Sequence, residues 1–68
     1  MATGQHRLGM RLKKLRTARG LSQATLATKA KITREYVNKL EAGQYDPTVS
    51  VARRLAKALK VTVGELVD

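Results

Sequence analysis

A chain of 68 residues has room for one domain, and a domain this short buries only about 60% of the surface its unfolded form exposes, so every core position counts. It contains no cysteine, tryptophan or phenylalanine; this excludes disulfides and thiolate metal sites and leaves Leu, Val, Ile and Ala to build a core, a composition suited to packed helices. The formal net charge of +9 points to a polyanionic partner, nucleic acid or an anionic membrane surface, and Arg7, Arg11, Lys13, Lys14, Arg16 and Arg19 crowd the first twenty residues with no acid among them.

Residues 1–6 read as a flexible N-terminal tail, and residues 7–68 as the folded domain. The lone His6 has no second His or Cys near it and is expected to be solvent-exposed rather than a metal ligand. A first helix is expected from Arg7 to about Ala18, because Leu8, Leu12 and Leu15 share one helical face and Gly20 is a natural stop. Ser22 is a suitable N-cap for a second helix that ends near Ala30, with Leu26, Ala27 and Ala30 inward. Thr33 caps a third helix with Val37 and Leu40 inward and Gly43 as its stop. Gln44 to Pro47 form a polar loop, and Thr48 caps a fourth helix whose inward residues are expected to be Val49, Ala52, Leu55, Ala56 and Leu59. Val61 and Thr62 lead to a short fifth helix with Val63, Leu66 and Val67 apolar. No stretch approaches the roughly 20 apolar residues that cross a membrane, and the N-terminus lacks a signal-peptide run, so a cytoplasmic location is expected.

Two short helices joined by a tight turn in a very basic chain point to a helix-turn-helix spanning Gln23 to Ala42. Such helices cross steeply and need a small side chain at the contact, which Ala27 supplies. The ordered set Leu12, Arg16, Gly20-Leu21-Ser22-Gln23, Leu26-Ala27, Ala30, Ile32-Thr33, Val37, Leu40-Glu41, Gly43, Pro47, Leu55-Ala56, Leu59, Val61 and Leu66 resembles the Cro/C1-type (Xre-like) helix-turn-helix family. The resemblance covers about residues 7 to 67 and implies an all-α, five-helix, lambda-repressor-like fold that binds operator DNA. The sequence departs from the family pattern at Lys31 and Lys60, where turns commonly carry glycine; a left-handed backbone there would strain each lysine by roughly 1–2 kcal/mol.

The resemblance assigns Gln23 to a backbone phosphate, in keeping with the free N–H groups and positive dipole end of a helix N-terminus. On the expected recognition helix, about residues 33–42, the surface opposite Val37 and Leu40 carries Arg34, Glu35, Asn38 and Lys39. Arg34 suits guanine O6 and N7, Asn38 suits adenine, and Glu35 suits cytosine N4, each good pair giving roughly 1–3 kcal/mol of discrimination. Glu35 and Lys39 are four apart, so a surface ion pair is the rival reading for both. Thr33, Gln44, Tyr45, Lys14 and Arg11 are expected along the DNA backbone, with Arg7 adding attraction, while Tyr36 either touches DNA or covers the edge of the motif. Arg16 and Glu41 match a family ion pair that bridges the first and third helices.

The expected function is a sequence-specific transcriptional regulator, with repressor the leading form, that binds a near-palindromic duplex operator as a homodimer. Val63, Leu66 and Val67 either form the dimer interface or close the core. The alternative is an antitoxin or another interaction module on the same fold. No paired carboxylates, activated nucleophile, metal cluster or phosphate-cradling glycine loop suggests an enzyme, a cofactor or a small-molecule ligand.

Overall fold

A computed structural model describes residues 4–67. Residues 1–3, the side chains of residues 4–6 and Asp68 lie outside the described part, and the expectation of an exposed histidine falls there with the first half of the expected tail, whereas residues 4–6 of that tail are the first residues of α1. Five helices follow one another: α1 (Gly4–Ala18), α2 (Gln23–Ala30), α3 (Arg34–Glu41), α4 (Val49–Leu59) and α5 (Val63–Val67). The described residues contain no strand. The first helix begins at Gly4, three residues before the expected Arg7.

Local chemistry sets most of the boundaries. The hydroxyls of Ser22, Thr33 and Thr48 accept from the backbone N–H of Thr25, Tyr36 and Val51, so each satisfies a donor that a helix start leaves unpaired. The fifth helix opens on a reciprocal pair: the Glu65 N–H donates to the Thr62 hydroxyl, and the Thr62 N–H donates to the Glu65 carboxylate. The first four helices close in the same way, with two backbone bonds running back from the residues beyond the helix, as in Gly20 N–H to Thr17 O and Leu21 N–H to Arg16 O. That closure needs one left-handed residue. Gly20 and Gly43 fill two of the positions, and Lys31 (φ 59°) and Lys60 (φ 59°) fill the others, as the departures from the family pattern anticipated. Arg19 adds a charged cap by donating from Nε to Leu59 O at the end of α4 (2.8 Å).

The core is aliphatic: Leu12, Leu26, Ala30, Val37, Leu40, Leu55, Leu59 and Leu66 are fully buried. The second helix packs on α3 and α4, and α1 packs on α3 and α5, so α2 and α3 are held from behind by the other helices. Val49 is a correction. The apolar pattern places it inward, but as the first residue of α4 it is 69% exposed, and Val51, two residues on and on the opposite side of the helix, is buried in its place. At a helix start no inward neighbour lies one turn earlier, so apolar periodicity does not fix the side on which the first residue falls.

Gly9 sits where α1 approaches the backbone at the end of α3 closely. A Cβ at this position would lie 2.5 Å from Leu40 O and 2.6 Å from Glu41 O, so only glycine lets α1 rest on the C-terminal end of α3. The available signal was a glycine inside an otherwise helical pattern, which is costly unless a backbone approaches closely there.

Candidate nucleic-acid interface

The turn from α2 to α3 runs through Lys31, Ile32 and Thr33. Lys31 N–H bonds to Thr28 O and Ile32 N–H to Ala27 O, which folds the chain back sharply. Leu26, Ala27, Ala30, Val37 and Leu40 are buried and Ile32 is partly buried against them, so the residues expected to set the crossing do so. Ala27 keeps the small side chain where the helices meet.

With Val37 and Leu40 committed to the core, α3 turns Arg34, Glu35 and Asn38 to solvent, while Lys39 is half-buried. Glu35 makes no hydrogen bond or ion pair among the described residues. Lys39 does not pair with Glu35; its Nζ lies 5.8 Å from the ring centre of Tyr45. Tyr45 in turn packs on Tyr36, with ring centres 5.9 Å apart and planes tilted by 57°. The loop after α3 is therefore fastened to α3 by two rings and a cation. Gln44 is exposed, and its backbone N–H closes the end of α3 on Lys39 O.

Behind this face stands a hydrogen-bonded frame. Arg16 donates from Nε to Glu41 Oε2 (2.6 Å), from Nη2 to Glu41 Oε1 (3.1 Å), and from Nη1 to Leu21 O (2.8 Å). Gln23 donates from Nε2 to the same Glu41 Oε1 (3.0 Å) and, at the outer limit of a bond, to Asn38 Oδ1 (3.5 Å). The ionic side chains are only 11% and 5% exposed. Burial of that degree penalises an unpaired charge heavily, and the fork geometry with its extra partners offsets the cost. The Arg16 guanidinium is pushed further toward its charged form, chiefly by the hydrogen bond to Glu41. One network thus ties α1, the start of α2 and the end of α3 together, and the matched pair from the sequence is its centre.

Arg34, Arg16, Ser22, Gln23 and Ala24 line a shallow recess at the N-terminus of α2. Cationic side chains and a helix start converge there, which suits an anion. Thr33 spends its hydroxyl on the α3 cap. Lys14 and Arg7 are exposed on α1. Arg11 is not brought to this face by any bond; its Nε donates to Glu65 O (2.6 Å) and fastens α5 to α1. Of the residues considered for the dimer interface, Leu66 is fully buried and closes the core, whereas Val63 and Val67 are exposed.

A helix-turn-helix family model, HTH_3, matches residues 12–66. The chain belongs to this family. Its members include the Cro/C1-type proteins that the sequence resembles, and the family is one of DNA-binding transcriptional regulators rather than enzymes. The chain is 37% identical over 60 residues to the immunity repressor protein of Bacillus phage phi105, covering 88% of this chain and 42% of the repressor. It is 35% identical over 60 residues to an uncharacterised HTH-type transcriptional regulator of Sinorhizobium fredii, covering 88% of this chain and 78% of that one. In three dimensions it superposes on the restriction-modification controller protein C.AhdI of Aeromonas hydrophila with a TM-score of 0.89 and 42% identity, covering 91% of this chain and 94% of the controller. The five-helix, all-α architecture expected from the sequence is therefore the fold of this HTH_3 chain.

Proposed function

We propose that this HTH_3 chain is a sequence-specific transcriptional regulator that lays α3 in the DNA major groove and binds a near-palindromic operator as a homodimer, repression being the leading mode. The observation that carries the reading is the exposed row Arg34, Glu35 and Asn38, held from behind by the Arg16–Glu41–Gln23 frame. Side chains that read base edges need a fixed platform, because a misplaced fork loses its paired hydrogen bonds. Arg34 reads guanine, Asn38 adenine and Glu35 cytosine; Lys39 is an additional base contact reached by leaving the Tyr45 ring. The Gln23–Asn38 bond is long enough to yield to an adenine edge.

Gln23, Thr33, Tyr36, Gln44, Tyr45 and Lys14 line the phosphate backbone on either side, with the recess at the start of α2 taking one phosphate. Arg11 contributes charge at longer range while holding α5. Exposed Val49, Val63 and Val67 cluster with Leu8 and Pro47 around one apolar groove, which supports a two-fold contact through α4 and α5. Two-fold pairing would set the α3 helices about 34 Å apart, one turn of DNA. No described helix is long and apolar enough to cross a membrane. A DNA-reading role supports a cytoplasmic location.

Selection of bound duplexes from a random pool tests the reading. A palindromic consensus with half-sites one helical turn apart is the expected result. A pool that stays random would refute specificity, and a single asymmetric site would refute the dimer. Arg34→Ala is expected to relax preference at one base pair per half-site; equal weakening on all sequences would make Arg34 a phosphate contact.

A further inference from the structure

A second cationic recess, of about 240 Å³, lies between the end of α2 and the outer side of α4, lined by Lys29, Lys31, Arg54, Lys57 and Ala58. It is at the far end of α2 from the recess beside Gln23, about 12 Å away along an eight-residue helix. Four of the five lining residues are cations, and none of the described carboxylates lines it or pairs with them. Arg54 is partly exposed, and its Nε is buried without a hydrogen-bond partner among the described residues. Lys31 adopts its left-handed backbone at the same place, where glycine would sit without strain, so the chain keeps a cation in the recess at the expense of backbone comfort.

Favourable interaction with helix dipoles accounts for Lys29 and Lys31 at the end of α2 and for Lys57 in the last turn of α4. It does not account for Arg54, which sits five residues before the end of α4, or for its orphaned donor. Like charges gathered in one recess repel, and a buried N–H without a partner is costly. Both problems are relieved by one multivalent oxyanion: a guanidinium offers a planar fork, and flanking ammonium groups add point charges.

We propose that this recess is a phosphate-binding site, separate from the DNA-reading face, with Arg54 as the fork and Lys29, Lys31 and Lys57 around it. The phosphate comes either from the backbone of a nucleic acid that passes this flank or from a free polyphosphate-type anion. The site does not rest on the proposed function, since it needs no residue of the base-reading row.

Titration of the full chain with inorganic pyrophosphate at constant ionic strength, followed by NMR, tests it. A saturable one-site shift of the Arg54 Nε–H and Lys31 amide signals is expected, retained in Arg34→Ala. The Lys31 shift should weaken at least tenfold in the Lys29→Gln/Lys57→Gln variant, whose substitutions are at exposed positions and should leave the fold intact. A linear shift without saturation, or an unchanged shift in the double variant, would mean diffuse screening and overturn the site. The source follows from binding to a random-sequence 40-base-pair duplex across salt concentrations. A salt slope shallower by about 2 in the double variant assigns the phosphate to DNA, and an unchanged slope assigns it to a free anion.

Discussion

Replacing Gly9 with alanine adds one methyl group where α1 rests on the end of α3. The new carbon would meet Leu40 O at 2.5 Å and Glu41 O at 2.6 Å, whereas ordinary contact begins near 3.4 Å, so the helices must part by about 0.9 Å. The obstacle is backbone, which cannot rotate away as a side chain can. A gap of that size forfeits a quarter to a half of the dispersion attraction of each atom pair along the crossing. Overpacking costs roughly 1–3 kcal/mol, and the upper end applies here, while alanine returns about 1 kcal/mol of helix propensity. The expected net loss is about 2 kcal/mol, which for a domain this small lowers Tm by roughly 8–16 °C. Thermal and urea unfolding followed by circular dichroism measure it. A variant as stable as the parent, or more stable as propensity alone would make it, would refute the close-crossing argument. The same displacement pulls Arg16 away from Glu41, so DNA affinity should fall together with stability.

Lys31→Gly and Lys60→Gly each relieve a left-handed lysine and should stabilise the domain by about 0.5–1 kcal/mol, the relief of roughly 1–2 kcal/mol being partly offset by the freer unfolded chain; denaturant midpoints that fall instead would show that the lysine side chains matter more than the strain. Arg16→Met alone leaves Glu41 buried without its partner and should cost about 3 kcal/mol, whereas the Arg16→Met/Glu41→Leu double variant should recover most of the loss. A double variant as unstable as the single one in urea melts would show that the frame is worth more than its charge balance. The Glu65 carboxyl is held below the usual carboxylate range, first because it accepts the Thr62 amide hydrogen, with the Thr62 side chain, Arg11 and Arg19 adding to the effect. A depressed carboxyl stabilises the fold above its unfolded pKa of about 4.3, and that contribution is lost as pH falls through the lower folded value. Glu65→Gln should therefore flatten the acid limb of the stability profile and leave its neutral-to-alkaline part parallel to the parent; an unchanged acid limb would remove Glu65 from that role.

The order of helices, their caps, the turn and the inward residues of α2 and α3 were legible in the chain because each depends on neighbours within four residues. Ser22, Thr33 and Thr48 cap, Gly20 and Gly43 terminate, and the spacing of Leu26, Ala30, Val37 and Leu40 selects the buried faces. The Arg16–Glu41 pair was legible only through the family resemblance, since 25 residues separate its members. The exposed row of α3 follows by elimination: once Val37 and Leu40 are buried, Arg34, Glu35 and Asn38 have only the solvent side left.

What the sequence by itself determined is this local grammar and the side of α3 that faces outward. The tertiary structure decided where remote parts meet. It gave Gly9 its purpose, drew Gln23 onto Glu41, sent Lys39 to Tyr45 rather than Glu35, committed Arg11 to α5, buried Leu66 and left Val49 outside. These outcomes share one physical reason. Helix periodicity tells a residue which of its own neighbours lie beside it, but packing chooses which other helix it touches, and a long polar side chain goes to whichever partner the crossing brings within reach.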